Sequence, residues 1–427
     1  MVAIINPYKA SHRTLAPLDT ELSHNITSLP YLEWLSTTQY YKIEYIRKSE
    51  TAWLLFVRPM DIDTKERFVL KILCRYKDTR YNLETVDERQ KCQLEALQWN
   101  RTFTPDVYIG LARISDWDKH QKKIGIDEII TDPTREMLVR GADYALVMHQ
   151  LPMDRRLDYL LNKESKASLR HYVQLLTKRL VQIHETLAPL SIEDGSQWGN
   201  FEQLQQKLEH NFALADPVVT ASKNHRYSTS NWREAPLDCL KDTLLQVLPN
   251  AQYHHSSNLL KRTFNLLKAA LFQVFTRSQY QEYFMQRVQE QRIKRCHGDL
   301  KAPNILIAPC NPSCDRELEK HIWILDAVDF NPMYCNIDLL SDLAMLVIDI
   351  QVRTKSSWLA DLMIEDYLGL AGQGDVASKS VLAYYLVEKA FVGAAISMAY
   401  DNLPGLGWAF LEVAEMRMKD LKRLVGM

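Results

Sequence analysis

The chain has 427 residues, more than one compact core accommodates, so two or three domains or lobes are expected. A hydrophobic fraction of 46% and a charged fraction of 25% are those of an ordinary globular protein and exclude a disordered or fibrous chain. The formal net charge of -1 gives no electrostatic basis for general binding to nucleic acid or to a membrane surface.

Residues 1–30 are mixed polar, interrupted by Pro7, Pro17 and Pro30, and read as an N-terminal extension; the opening MVAIINPYKASHRTLAP carries no long apolar run of the secretory type. Tyr41 to Ile46 alternates like a strand, Arg47 to Glu50 is a polar turn, and Trp53 to Val57 and Phe68 to Leu73 read as two more strands of an antiparallel meander. Val86 to Arg101 is rich in helix formers at helical spacing. Val107 to Ile114 reads as a strand, a charged loop follows, and Tyr144 to Met148 is the next strand. From Pro152 the pattern is helical to about Arg295. Two short apolar strands, Ile305–Ile307 and Ile322–Leu325, flank a turn with Pro309 and Pro312, and helices run from about Asp338 to Arg423. The most apolar stretch, Val381 to Tyr400, carries Glu388 and Lys389 at its centre and reads as a buried helix rather than a membrane span.

The seven scattered cysteines, an odd number, point to reduced thiols and the cytoplasm. Cys310 and Cys314 have no second pair at zinc-site spacing and read as ordinary thiols of a turn, and His254-His255 reads as a polar helix start. The expected plan is α+β in two lobes: a small antiparallel-sheet lobe over 31–150 and a large, mainly helical lobe over 151–427.

Two segments carry the chemistry. One is His297-Gly298-Asp299-Leu300-Lys301-Ala302-Pro303-Asn304; the other, some twenty residues on, is Ile324-Leu325-Asp326-Ala327-Val328-Asp329. Phosphoryl transfer needs carboxylate and amide oxygens for magnesium, a carboxylate that orients the attacking hydroxyl, and a cation on the phosphates. These segments supply such groups if the strands between them form a hairpin. Lys71 alone reads as a snorkelling lysine, and Glu95 alone as a solvated helix charge.

His297 to Asn304 resembles the catalytic loop of the aminoglycoside phosphotransferase-like kinases, where His-Gly-Asp is followed by an Asn five residues after the Asp; protein kinases carry H-R-D-x-x-x-x-N in the same place. Leu94 to Arg101, followed by Pro105 to Gly110, looks like one uncharacterised branch of that family, which reads E-E-L-x-L-N-R-x-x-A-P-x-L-Y-L. The similarity runs from about residue 40 to about residue 400. It implies a two-lobed protein-kinase-like fold that uses ATP or GTP with Mg2+ to phosphorylate a hydroxyl of a small molecule, without a nucleic-acid or membrane partner. By the same resemblance Asp299 orients the acceptor hydroxyl and Lys301 meets the γ-phosphate. Asn304 and Asp326 hold the metal. Lys71 meets the α- and β-phosphates, with Glu95 its helix partner and Glu88 the fallback. Val147 to Pro152 matches the hinge between lobes, so that Met148, His149 and Leu151 border the nucleobase. His297 and Asp342 support the catalytic loop.

Three departures qualify the resemblance. The turn Arg47 to Thr51 contains no glycine where kinases close a glycine-rich loop over the phosphates; Arg47, Lys48 and the hydroxyls of Ser49 and Thr51 are the candidate substitutes. Gly298 stands where many protein kinases have an arginine, and only ten residues separate Asp326 from Ile337, too few for a peptide-docking activation segment. That favours a small-molecule acceptor. Ala221 to Arg295 carries twelve Lys and Arg against five Asp and Glu, which suits a neutral or anionic acceptor unless the charge lies on solvated helix faces. The competing readings are a nucleotide-binding pseudokinase that regulates or scaffolds, and a protein kinase or an enzyme that transfers AMP.

Overall fold

The computed structural model describes residues 41–49, 51–59, 66–77, 82–118, 123–220, 265, 267–308, 318–329, 331–399 and 404–425. The N-terminal extension, the Cys310/Cys314 turn, His254-His255 and most of the basic stretch after Ala221 lie outside the described residues. The chain divides into two compact units, residues 1–155 with 303–332, and residues 156–302 with 333–427. The expected boundary near 150 is therefore only half of the division: the strand pair after Pro303 groups with the sheet, not with the helices.

The first unit is an antiparallel sheet with one helix. Its strands are β1 (Tyr41–Lys48), β2 (Ala52–Pro59), β3 (Phe68–Leu73), β4 (Tyr108–Asp118), β5 (Lys123–Ile130) and β6 (Tyr144–His149), in the order β1-β2-β3-β6-β4-β5. β5 falls where a charged loop is expected, because Lys123, Asp127 and Glu128 and a register shift between Ile126 and Ile129 interrupt the apolar alternation. Gly110 permits its pairing: a Cβ there would collide with the Ile130 carbonyl. Trp53, Leu55, Val57, Leu70, Ile72 and Val147 bury one sheet face.

Helix α1 (Val86–Phe103) starts with a capping box. The Thr85 hydroxyl accepts the Glu88 N–H at 3.2 Å, and Glu88 Oε2 accepts the Thr85 N–H at 2.9 Å. Its inward face is partly polar. Arg89 donates two bonds to Asp143, at 2.7 and 3.0 Å, and Gln93 Nε2 donates to the Lys71 carbonyl at 2.8 Å. Arg89 and the Gln93 amide nitrogen thus have their partners inside the unit. Two short strands, β8 (Ile305–Ile307) and β9 (Ile322–Ile324), complete this unit as an antiparallel pair in which Ile305 faces Ile324.

The second unit is helical. α2 (Leu157–Lys163), α3 (Lys166–Thr186), α4 (Ile192–Gly199) and α5 (Phe201–Thr220) precede the helix Ser278–Gln289, and helices Leu339–Thr354, Trp358–Leu370, Val376–Ala399 and Pro404–Val425 follow. The only sheet described here is β7 (Ile293–Arg295) against β10 (Asn336–Asp338). Val376–Ser397 is long and apolar enough to cross a membrane, with mean hydropathy 1.3, but 83% of its apolar window is buried inside the protein. Lys389 meets Glu388 at 3.0 Å, and Asn211 Nδ2 donates to the same carboxylate at 3.1 Å, so the two central charges are matched inside the core.

Candidate active site

The sheet unit assembles the cation and the metal-type oxygens. β3 alternates, so Leu70 and Ile72 point into the core and Lys71 points to the opposite face. There the Lys71 ammonium lies 3.8 Å from Asp326 Oδ1. Burial works to depress the lysine pKa, but the carboxylates of Asp326 and Asp329 outweigh it and hold the ammonium above its ordinary value. Burial pushes the Asp329 carboxyl above the usual range against the pull of Lys71, and Asp326 adds to the push. Pairing of β8 with β9 brings Asn304 to the same place: the Leu325 N–H donates to the Asn304 carbonyl at 2.8 Å, one residue before Asp326.

Asp326 itself has φ +62°, a left-handed conformation that a non-glycine residue adopts only when its surroundings enforce it. The enforcement is visible. The Ile324 N–H donates to Thr104 Oγ1 at 2.8 Å, and that hydroxyl donates to the Ile324 carbonyl at 2.8 Å. The Asp326 N–H donates to Tyr108 Oη at 3.1 Å, and the Ala327 N–H to Asn100 Oδ1 at 2.9 Å. Arg101 fastens the clamp by donating to the carbonyls of Tyr108 and Ile109, at 2.8 and 2.5 Å. Asn100, Arg101 and Tyr108 lie in the stretch that resembles the family's N-R…P…Y pattern. That pattern was legible; its work, holding the Asp326 turn, was not.

The structure gives Glu95 a different partner from the expected one. Its carboxylate pairs with Lys91 at 3.8 Å on the outward face of α1, beside a recess of about 470 Å³ also lined by Gln98 and Arg140. Glu88 is spent on the capping box. The inward positions of α1 belong to Arg89, Gln93, Ala96 and Asn100, and at 100° per residue Glu95 falls outside that face. Lys71 therefore pairs with Asp326 rather than with a helix glutamate.

In the hinge stretch Met148 and Leu151 pack with Leu325 and Trp323 against the cluster of Leu97, Leu111 and Leu146. The His149 N–H is committed to the Val107 carbonyl at 2.9 Å and the Gln150 N–H to the Arg67 carbonyl at 2.8 Å, which leaves Leu151 as the amide donor there. The β1–β2 turn closes on itself: Ser49 N–H donates to the Ala52 carbonyl at 2.8 Å, and Ala52 N–H to the Ser49 hydroxyl at 3.0 Å. Thr51 is buried, and Lys48 lies over the Trp53 ring at 5.1 Å.

The helical unit holds the loop His297–Ala302. Gly298 has φ +80°, a conformation in which a side chain would be strained. Asp342 accepts the N–H groups of His297 and Gly298, at 3.1 and 2.9 Å, and stands 3.3 Å from His184 Nε2; His184 Nδ1 meets Tyr367 Oη at 2.7 Å. The Asp299 N–H donates to His297 Nδ1 at 3.3 Å, and Lys301 Nζ lies 2.8 Å from Asp299 Oδ2. Burial would raise the Asp342 pKa, but the His184 hydrogen bond, the imidazoles of His184 and His297 and the Gly298 N–H hold it below its ordinary value of 3.8.

A carboxylate with a depressed folded pKa contributes stability above its unfolded pKa and loses it as pH falls through the folded one. The stability difference between the wild type and Asp342→Asn is therefore expected to be constant above about pH 5 and to shrink as pH drops below about 4. Denaturant midpoints measured across that range check it. A difference that persists undiminished at pH 2 contradicts the assignment.

Among the described residues no group of three or more His, Cys, Asp or Glu side chains forms a ready metal cage. Magnesium held jointly with phosphates asks for less, one or two carboxylates and oxygen donors, and Asp326 with the Asn304 amide is a donor set of that kind.

No protein-family model matches the chain, and no curated protein matches it. Solved structures do. An aminoglycoside phosphotransferase from Alicyclobacillus acidocaldarius is 12% identical, with TM-score 0.48, over 90% of this chain and 92% of that one. An ethanolamine kinase from Plasmodium vivax is 12% identical, with TM-score 0.41, over 87% and 81%. A choline kinase from Cryptosporidium parvum is 14% identical, with TM-score 0.40, over 91% and 89%.

Proposed function

We propose that this protein is a phosphotransferase that moves the γ-phosphate of ATP or GTP, with Mg2+, to a hydroxyl of a small molecule in the cytoplasm. The observation that carries the reading is the convergence in the sheet unit of the Lys71 ammonium, 3.8 Å from Asp326, with Asn304 drawn alongside by the β8–β9 pairing. A cation beside two oxygen-bearing side chains is what a metal-bound triphosphate requires. Asn304 and Asp326 hold the metal, which when bound neutralises charge developing on the transferred group. Lys71 binds the inner phosphates. In the helical unit Asp299 takes the acceptor's proton, and Lys301, now paired with it, exchanges that carboxylate for phosphate oxygens. The ten residues between Asp326 and Ile337 favour a small acceptor over a protein. Among the described residues Cys74, Cys92, Cys296 and Cys335 are not joined in disulfides.

A second reading, a nucleotide-binding regulator without turnover, draws on the glycine-free β1–β2 turn, whose Ser49 donors are used within the turn itself. One experiment separates the two. Asp326→Asn removes the carboxylate charge and keeps the side-chain shape. It is expected to weaken magnesium-dependent nucleotide binding by at least about tenfold while binding measured in EDTA changes little. Calorimetric titration with and without magnesium reads it, and ATP turnover over a panel of hydroxylated metabolites reads catalysis. Tight magnesium-dependent binding with no turnover on any acceptor supports the regulator; binding that is equally metal-dependent in Asp326→Asn rejects the metal assignment.

A further inference from the structure

The helix Leu339–Thr354 carries a second carboxylate whose position the catalytic reading does not use. Asp349 lies seven residues after Asp342, two helical turns along the same face. Asp342 accepts the amides at the start of the loop, His297 and Gly298. Asp349 Oδ2 accepts the amide at its end, the Ala302 N–H, at 2.8 Å. The two ends of the segment bearing Asp299 and Lys301 are thus pinned to one rigid element. Asp349 is 2% exposed and Ala302 fully buried, so this N–H has no water to replace a lost acceptor. Arg353 Nε donates to the same Asp349 oxygen at 2.8 Å, and its Nη1 lies 3.9 Å from Asp158, which in turn pairs with Arg156. Burial would depress the Arg353 pKa, but Asp349 and Asp158 outweigh it, so the buried charges compensate one another.

We propose that Asp349 is a positioning residue for phosphoryl transfer. By accepting the Ala302 N–H it fixes the exit of the catalytic loop, and with it the directions of the neighbouring Lys301 and of Asp299. The inference rests on the phosphotransferase reading for its consequence in rate, and on the geometry alone for the clamp. Removing only Asp349 leaves the half-buried Arg353 with the more distant Asp158 alone and endangers folding. The comparison is therefore between two double variants. Asp349→Asn with Arg353→Leu keeps an oxygen acceptor for Ala302. Asp349→Leu with Arg353→Leu removes it. Neither leaves a buried charge at position 349 or 353.

Amide hydrogen exchange over 297–302 reads the clamp without any need for activity. Exchange is expected to be near wild-type in the Asn/Leu variant and faster by at least about tenfold in the Leu/Leu variant. Magnesium-ATP turnover, with water as the acceptor, reads the consequence. The Asn/Leu variant is expected to recover kcat to within about threefold of the wild type, and the Leu/Leu variant to lose at least about tenfold in kcat with the nucleotide KM unchanged. Equal exchange in two cooperatively melting variants overturns the clamp. Different exchange with equal kcat overturns the positioning role. A wild type that turns over no nucleotide with water or with any acceptor of the metabolite panel refutes the phosphotransferase reading, and with it the positioning role, while the exchange arm still decides the clamp.

Discussion

Asp299→Asn is expected to lower phosphoryl transfer by about two to four orders of magnitude, the range that a positioned general base contributes, with nucleotide affinity nearly unchanged. Asp299 is 9% exposed, its amide donates to His297 Nδ1, and its carboxylate meets Lys301 at 2.8 Å. Asparagine keeps the volume and one acceptor oxygen, so the loop held by Asp342 retains its shape. What disappears is the charge and the basicity. Lys301 is freed from its ion pair, at little cost for a partly solvated lysine. Single-turnover release of phosphate from saturating magnesium-ATP, with and without a metabolite panel, measures the effect. A rate within a factor of a few of the wild type would remove Asp299 from the catalytic role.

The second large effect is on stability. Arg287→Leu is expected to destabilise the protein by about 3–5 kcal/mol, the usual loss when one partner of a buried ion pair is removed. Arg287 and Asp338 form a two-bond pair, at 2.8 and 2.6 Å, and neither side chain is more than 2% exposed. The same guanidinium donates to Gln373 at 2.7 Å and to Ser378 at 3.3 Å. Asp338 also accepts the Leu340 N–H at 2.8 Å and so caps the helix that carries Asp342 and Asp349. The double variant Arg287→Leu with Asp338→Asn is expected to regain part of the loss, because asparagine keeps the cap and removes the orphaned charge. Urea denaturation at neutral pH measures both. A loss below about 1 kcal/mol in the single variant would mean that Asp338 is reached by water or by another cation.

The strands of the sheet were legible because their apolar residues alternate, and β3 matches its expected bounds, Phe68 to Leu73. β5 escaped because its charged residues mark a surface strand, and local charge carries no information about pairing with β4. The loop His297–Asn304 was legible because a turn needing Gly298 and an acid at fixed spacing is a local pattern. The pairing of Lys71 was not. Whether a helix residue reaches a strand lysine depends on the rotation of α1 about its axis, and that rotation is set by Arg89 on Asp143 and by Gln93 on the Lys71 carbonyl. Those polar contacts span 22 to 54 residues of sequence and leave no local trace.

By itself, then, the amino-acid sequence determined the α+β order of elements and singled out the segments His297–Asn304 and Ile324–Asp329, whereas Lys71 was singled out only through the resemblance. The order and the two segments depend on short-range regularities: side-chain period, glycine conformation, residue spacing. The tertiary structure alone decided that Lys71 faces Asp326 rather than Glu95, that Asn100, Thr104 and Tyr108 hold Asp326 in its left-handed turn, and that Asp349 closes the loop Asp342 opens. The physical reason is the same in each case. A buried polar group must find a partner, and the fold, not the neighbouring sequence, chooses which one lies within hydrogen-bonding distance.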